Sequence, residues 1–97
     1  MKVEMEISDQ LISDQIESGF AFIGYWAQDW EIDVVNHTGW VQEVEDGDKP
    51  EPITLNFEKA VKIAAEKYPR ILDENQMDAE TGDMLIQLAA FGDIVYG

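Results

Sequence analysis

The sequence contains no cysteine, a single histidine and a single arginine among its 97 residues. The absence of cysteine excludes disulfides, cysteine-ligated zinc sites, iron–sulfur clusters and thiol nucleophiles. Because His37 is the only histidine, most acid–base and nucleophilic constellations lack a member, and we expect His37 itself to be a solvated turn residue. The composition therefore predicts a protein that is not an enzyme and needs no cofactor.

Basic residues are scarce, since 6 Lys and Arg stand against 21 Asp and Glu, giving a formal net charge of −15. That balance excludes binding of nucleic acid or an anionic membrane through a basic face. No apolar run approaches the roughly 20 residues that span a bilayer, and the alternating, acid-containing start is unlike a signal peptide. A charged partner of this protein is therefore expected to be basic.

Metal-binding patterns are also missing. Neither of the acid-flanked glycines, Gly47 and Gly82, has oxygen ligands at all of the positions that an EF-hand loop requires. No glycine-rich phosphate loop precedes a helix. No metal ligand is therefore assigned, although a looser divalent-cation site within 45–51 stays open.

Apolar residues make up 45% of the chain and aromatic residues 10%, which is typical of a packed domain rather than a disordered acidic tail. We expect one domain over residues 1–97. Alternation of apolar and polar residues predicts a strand over 2–7 and a β-hairpin whose strands lie near 30–34 and 40–45. In that hairpin, Trp30 and Trp40 are expected on or near the same face.

Helical spacing of apolar residues predicts four helices. The first follows an N-cap at Ser8 and ends near Gly19. The second covers 22–27, where a buried strand is the alternative. The third follows an N-cap at Thr54 and stops before Pro69, and the last is capped by Asp78 or Thr81 and ends at Gly92.

The order β-α-α-β-β-α-α describes a small α+β domain whose antiparallel sheet is covered by about four helices. Residues 45–52 are expected to form a loop, and the apolar tail 94–96 is expected to dock on the domain.

Carboxylates cluster along the chain, and self-repulsion at this density opposes folding, which suggests that the charge is used. A rigid surface of spaced carboxylates can occupy a protein channel built for nucleic acid. Tyr25 is expected to be an exposed aromatic anchor that faces away from Phe22 and Trp26. A further acidic group is Asp29, Glu31 and Asp33. The candidate partner-binding residues are Glu43, Glu45, Asp46, Asp48 and Glu51, then Asp73, Glu74, Asp78, Glu80 and Asp83, together with Tyr25.

Two stretches carry a family resemblance. The first is 16–19 (Ile-Glu-Ser-Gly) followed by Tyr25-Trp26, and the second runs from 53–55 through 67–69 and 78–83 to the ending 91–97 (Phe-Gly-Asp-Ile-Val-Tyr-Gly). Together they resemble a family of small, largely uncharacterised proteins of tailed bacteriophages and prophages. The resemblance implies a phage origin and expression in the host bacterial cytoplasm, and it carries no catalytic residue. Small acidic phage proteins often inhibit host defence, as anti-CRISPR proteins and DNA mimics do.

Three functions remain open at this point. The favoured one is a phage inhibitor that binds the basic surface of a host defence or nucleic-acid-binding complex, without contacting nucleic acid or a membrane. The second is an accessory or regulatory protein-binding module whose acids only keep it in solution. The third is a protein that sequesters a small ligand such as a signalling nucleotide, which would need a basic pocket from Lys59, Lys62, Lys67 and Arg70. Homodimerisation is left open.

Overall fold

The computed structural model describes residues 9–44, 51–76 and 78–96, and over these ranges the chain is an α+β domain. The predicted strand at 2–7 and the Ser8 cap lie outside the described residues, as does most of the predicted loop. The described helices are α1 (Asp9–Phe20), α2 (Phe57–Lys67) and α3 (Ala79–Phe91). The described strands are β1 (Ala27–Asp33), β2 (Thr38–Glu43) and β3 (Ile53–Thr54), and short 3-10 turns occupy Ile23–Tyr25, Pro69–Leu72 and Glu74–Gln76.

The hairpin predicted from the alternating residues is confirmed, because β1 and β2 pair in antiparallel register. Its two tryptophans, however, lie on opposite faces, and the expectation that they share a face is wrong. Trp40 pairs with Glu31, whereas Trp30 pairs with Val41, and directly paired residues project from the same face of a sheet. Trp30 therefore packs against the core, and Trp40 lies on the outer face.

The third strand was not predicted. Thr54, expected to cap a helix, instead pairs with Trp40 as part of β3. Leu55 extends this connection by donating its N–H to Gly39 O, 2.9 Å away. Helix α2 then begins after Asn56, whose side chain accepts the Lys59 N–H at 3.0 Å and so takes the capping role.

The predicted helix over 22–27 is wrong, and the described part of the chain has three α-helices instead of four. Only a single 3-10 turn forms, at Ile23–Tyr25, before β1 begins at Ala27. The Trp26 carbonyl accepts the Val44 N–H at 2.8 Å. This carbonyl is therefore paired across the hairpin and does not accept a helical hydrogen bond. The strand alternative is thus correct for the end of this segment.

Helix α3 begins and ends where the sequence indicates. Asp78 and Thr81, the two candidate caps, form one reciprocal capping box in which each side chain accepts the other residue's N–H. Gly92 ends the helix in the left-handed conformation, with φ 74°. The tail beyond it docks as expected, since Ile94 and Tyr96 pack against the core.

Helices α1 and α3 cross with their backbones in close approach. A Cβ atom on Gly82 would lie 2.4 Å from Gln15 O, and one on Gly19 would lie 2.6 Å from the Gly82 carbonyl carbon. Gly19 therefore serves mainly as a packing residue within α1, one position before the helix ends. Beside the crossing, the buried Gln15 amide donates to Ile71 O and accepts from the Thr81 hydroxyl.

We expect Gly82→Ala to lower the free energy of unfolding by about 2 kcal/mol or more, because backbone atoms on the facing helix cannot yield to the new methyl group. Gly24→Ala is the matched control, since a Cβ there meets nothing within 4 Å, and its change should stay within about 0.5 kcal/mol. Urea unfolding followed by circular dichroism measures both. Equal stability of the two variants would contradict the close helix crossing.

Candidate functional site

A cavity of about 330 Å³ opens between the 3-10 turn at 23–25, helix α3 and the C-terminal tail. It brings together three of the predicted partner-binding residues: Tyr25 from the 3-10 turn, and Glu80 and Asp83 from the start of α3. Apolar and aromatic side chains supply most of the remaining wall, and Arg70 supplies the one positive charge among the described lining residues. These lining residues are Phe22, Tyr25, Arg70, Glu80, Asp83, Met84, Ile94 and Tyr96.

Asp83 lies in the interior, so its expected place on an exposed acidic surface is wrong. The residue is only 3% exposed. Its carboxylate accepts hydrogen bonds from Trp26 Nε1 at 2.7 Å, from the Tyr25 hydroxyl at 2.6 Å and from Gln87 Nε2 at 3.2 Å. These three donors replace the water that a buried carboxylate loses, which allows the charge to remain inside the fold.

Tyr25 is half exposed, as expected of an aromatic anchor, but it does not face away from Phe22. The two rings meet edge to face, with centroids 5.8 Å apart. Burial of its phenolic end and the adjacent Asp83 carboxylate raise the pKa of Tyr25 to about 12. The hydroxyl therefore stays protonated and keeps donating to Asp83 at neutral pH.

Tyr96 closes the cavity from the tail. Its ring stacks on Trp26, with centroids 5.5 Å apart and planes 8° from parallel, and meets Tyr25 edge-on at 6.4 Å. The Gln87 side chain fixes the tail by accepting the N–H groups of Val95 and Tyr96 and donating to Tyr96 O. A docked tail was expected, but this ring stack was not.

Glu43, one of the predicted partner-binding residues, is held within the fold. Its carboxylate accepts a hydrogen bond from the Tyr96 hydroxyl, and the residue is partly buried. This contact ties the end of β2 to the C-terminal tail.

The mouth of the cavity carries one charge of each sign. Arg70 Nη2 lies 3.7 Å from Glu80 Oε1 and 3.4 Å from the Met84 sulfur. The side chains of Arg70 and Glu80 are 53% and 65% exposed, so their ion pair is weak and easily rearranged.

The other predicted acids that the structure describes do not line this cavity. Glu45, Asp46 and Asp48 lie outside the described residues, whereas Glu51 and Asp78 are exposed. Glu74 begins a 3-10 turn. Asp73 precedes that turn, and bonds from the Asn75 N–H and the Gln76 side chain hold the pKa of its carboxyl below the ordinary value.

A row of carboxylates follows the outer face of β1. Asp29, Glu31 and Asp33 are exposed alternate residues of the strand. Trp40 lies beside them because it pairs with Glu31. The Asn36 N–H and side chain, helped by the Val35 N–H, bond to Asp33 and keep the pKa of its carboxyl below the usual range. We call Asp29, Glu31 and Asp33 the β1 acidic row.

A second cleft, of about 620 Å³, lies between α1, the hairpin turn and the start of α2. His37 lies in the hairpin turn, as expected, but it is partly buried, with Nε2 3.1 Å from the Ser13 hydroxyl. The Ser13 hydroxyl donates its single hydrogen to Val34 O at 2.6 Å. Because that hydrogen points away from His37, the pair does not have the arrangement of a nucleophile and its base.

The four basic residues proposed for a ligand pocket are not brought together in either of these two cavities. Lys62 lines the larger cleft and lies 3.7 Å from Glu58, while Arg70 lines the aromatic cavity. Neither lining includes Lys59 or Lys67.

The chain matches no protein-family model, no curated protein and no solved structure. The phage resemblance therefore stays a prediction. Within residues 9–44, 51–76 and 78–96, no group of three or more His, Cys, Asp or Glu residues could hold a metal ion. No helix in that part of the chain is both long and apolar enough to cross a bilayer.

In a spectrophotometric titration Tyr25 should ionise near pH 12, because burial and Asp83 oppose formation of its phenolate. A raised pKa stabilises the folded state fully below the ordinary value of 10.0, and this contribution is lost as the pH rises toward 12. Tyr25→Phe should remove the late step, and Tyr68→Phe should leave it in place. A late step that survives in Tyr25→Phe would refute the assignment.

We expect Asp83→Asn to lower the free energy of unfolding by about 2–4 kcal/mol, because an amide cannot accept from all three donors around it. Asp29→Asn changes the same charge on the exposed face of β1 and should cost less than about 0.5 kcal/mol. Urea unfolding at neutral pH compares the two variants. If they are equally stable, the buried network contributes little to the fold.

Proposed function

We propose that this protein is a non-enzymatic inhibitor that occupies the basic, nucleic-acid-binding surface of a bacterial defence or nucleic-acid-processing complex. The observation that carries the proposal is the β1 acidic row, which projects from a strand in a segment without cations. No Lys or Arg occurs between Lys2 and Lys49. The described basic residues all lie within 59–70, on α2 and the turn that follows it.

The geometry of the row supports this proposal. Alternate residues of a strand advance about 6.7 Å, roughly twice the axial rise of about 3.4 Å between phosphates on one strand of duplex DNA. The carboxylates of the row are therefore spaced on the same scale, a few ångströms apart, as the phosphates of a nucleic acid. Trp40, on the same outer face, adds the kind of side chain that contributes most to protein interfaces.

The proposed setting is the cytoplasm of a bacterium that carries the phage or prophage. Its support is the family resemblance, which implies both the origin and the site of expression. Strong acidity in a protein of this kind raises the association rate with a basic surface and makes binding sensitive to salt.

A small-ligand function has less support, because neither of the two cavities brings the four basic residues together. An accessory binding module whose acids only provide solubility remains the main alternative. It differs in one testable respect, since it predicts that the position of the carboxylates is unimportant.

The test compares two triple variants that remove the same charge. Asp29→Asn/Glu31→Gln/Asp33→Asn neutralises the β1 acidic row, whereas Glu17→Gln/Glu58→Gln/Glu66→Gln neutralises exposed acids on α1 and α2. The wild-type protein is used at low salt to capture a nucleic-acid-binding complex from nuclease-treated bacterial lysate. Fluorescence anisotropy then measures displacement of labelled DNA or RNA from that complex.

We expect the row variant to displace nucleic acid about tenfold less effectively, because it loses three contacts to basic side chains. The helix variant should stay within about twofold of wild type. Equal weakening of both variants would support general acidity, and absence of displacement by the wild-type protein would refute inhibition.

A further inference from the structure

The aromatic cavity has the construction of a cation-binding cage. Phe22 and Tyr25 meet at 67° and Tyr25 and Tyr96 at 87°, so three rings stand nearly edge to face around one space. Phe22 and Tyr25 are 46% and 50% exposed, which leaves this aromatic wall accessible from solvent. Aromatic faces attract cations, and cages of this kind recognise ammonium groups in proteins.

Carboxylates lie at both ends of the cavity. Asp83 lies at its inner end, where its carboxylate accepts hydrogen bonds from Tyr25, Trp26 and Gln87. Glu80 lies at the mouth with a largely exposed side chain. A ligand that fills the space therefore meets negative charge inside, aromatic rings along the wall and negative charge again at the rim.

We propose that this cavity receives the cationic end of a lysine or arginine side chain that projects from the partner's basic surface. The inference rests on the proposed function and assigns it a specific pocket. The volume of about 330 Å³ is at the lower end of ligand-pocket sizes and suits one long side chain. The apolar part of such a side chain contacts Ile94 and Met84, while its charged end approaches the rings and carboxylates.

Replacing Arg70 distinguishes a cationic occupant from an anionic one. Its guanidinium lies at the mouth beside Glu80 and Met84, so it repels an entering cation and attracts an entering anion. Removing Arg70 must therefore strengthen binding of a cation and weaken binding of an anion. Removing the charge of Glu80 must have the opposite effects. Both side chains are more than half exposed, so neither substitution threatens the fold.

The first experiment uses single residues as probes. Nα-acetyl-lysine methylamide is titrated into the full chain, with Nα-acetyl-norleucine methylamide as the neutral probe and Nα-acetyl-glutamate methylamide as the anionic one. The assigned indole N–H resonance of Trp26 is the reporter in nuclear magnetic resonance spectra, because that group donates to Asp83 beside the cavity. The lysine probe should shift this resonance in a saturable way, and the other two should not.

Substitutions in the cavity then test whether the bound group is positively charged. Glu80→Gln should weaken lysine-probe binding about two- to fivefold, and Arg70→Gln should strengthen it by a similar factor. Tyr25→Leu removes an aromatic wall and should weaken binding about fivefold, while Tyr25→Phe retains the ring and should stay within about twofold. Equal responses to lysine and norleucine, or reversed signs for the Arg70 and Glu80 variants, would overturn the proposal.

The same variants, measured in the displacement assay, connect the cavity to the partner. Glu80→Gln and Tyr25→Leu should weaken displacement, and Arg70→Gln should strengthen it. If the lysine probe binds but these variants displace nucleic acid as the wild type does, the cavity takes free cations and the partner assignment is wrong. If the lysine probe does not bind but the protein still displaces nucleic acid, the cavity inference is wrong, and the proposed inhibition then depends on the β1 acidic row.

Discussion

The buried carboxylate of Asp83 is the constraint on which the rest of the site depends. Tyr25 and Trp26 are adjacent in sequence, yet both donate to this one group. Neighbouring residues point to opposite faces of a strand and about 100° apart on an α-helix. A tight turn is therefore needed before β1, which explains why an apolar segment with helical spacing forms only one 3-10 turn.

The network around Asp83 also determines where the C-terminal tail lies. Gln87, one helical turn further along α3, donates to the same carboxylate and binds the tail backbone through its other amide atom. Trp26, positioned by Asp83, presents its ring to Tyr96. Turn, helix and tail are thus coupled through one charge, and the rings that line the cavity are held at fixed angles before any ligand enters.

Features with a clear period were predictable from the sequence, and features set by long-range contacts were not. Helices α2 and α3 and the β1–β2 hairpin follow from regular spacing, and the caps of α3 were recognisable, whereas α2 is capped by Asn56 and not by the predicted Thr54. A strand of two residues such as β3 has no period, and the faces of Trp30 and Trp40 depend on register, where a shift of one residue reverses every side chain. Asp83 could have been identified as an exception. With Gln87 it is one of two polar residues, four apart, among the buried residues of α3. Polar groups in such a position need hydrogen-bond partners.

The distribution of charge gives the fold two different acidic features. The β1 acidic row is exposed and far in sequence from any cation, so it acts at a distance and is screened by salt. The cavity charges are few, and the buried one, Asp83, lies beside aromatic rings, where reduced hydration strengthens electrostatic attraction. A basic partner would be attracted by the first and held in one orientation by the second, because a row of carboxylates tolerates sliding along a cationic surface whereas a cavity for one side chain does not.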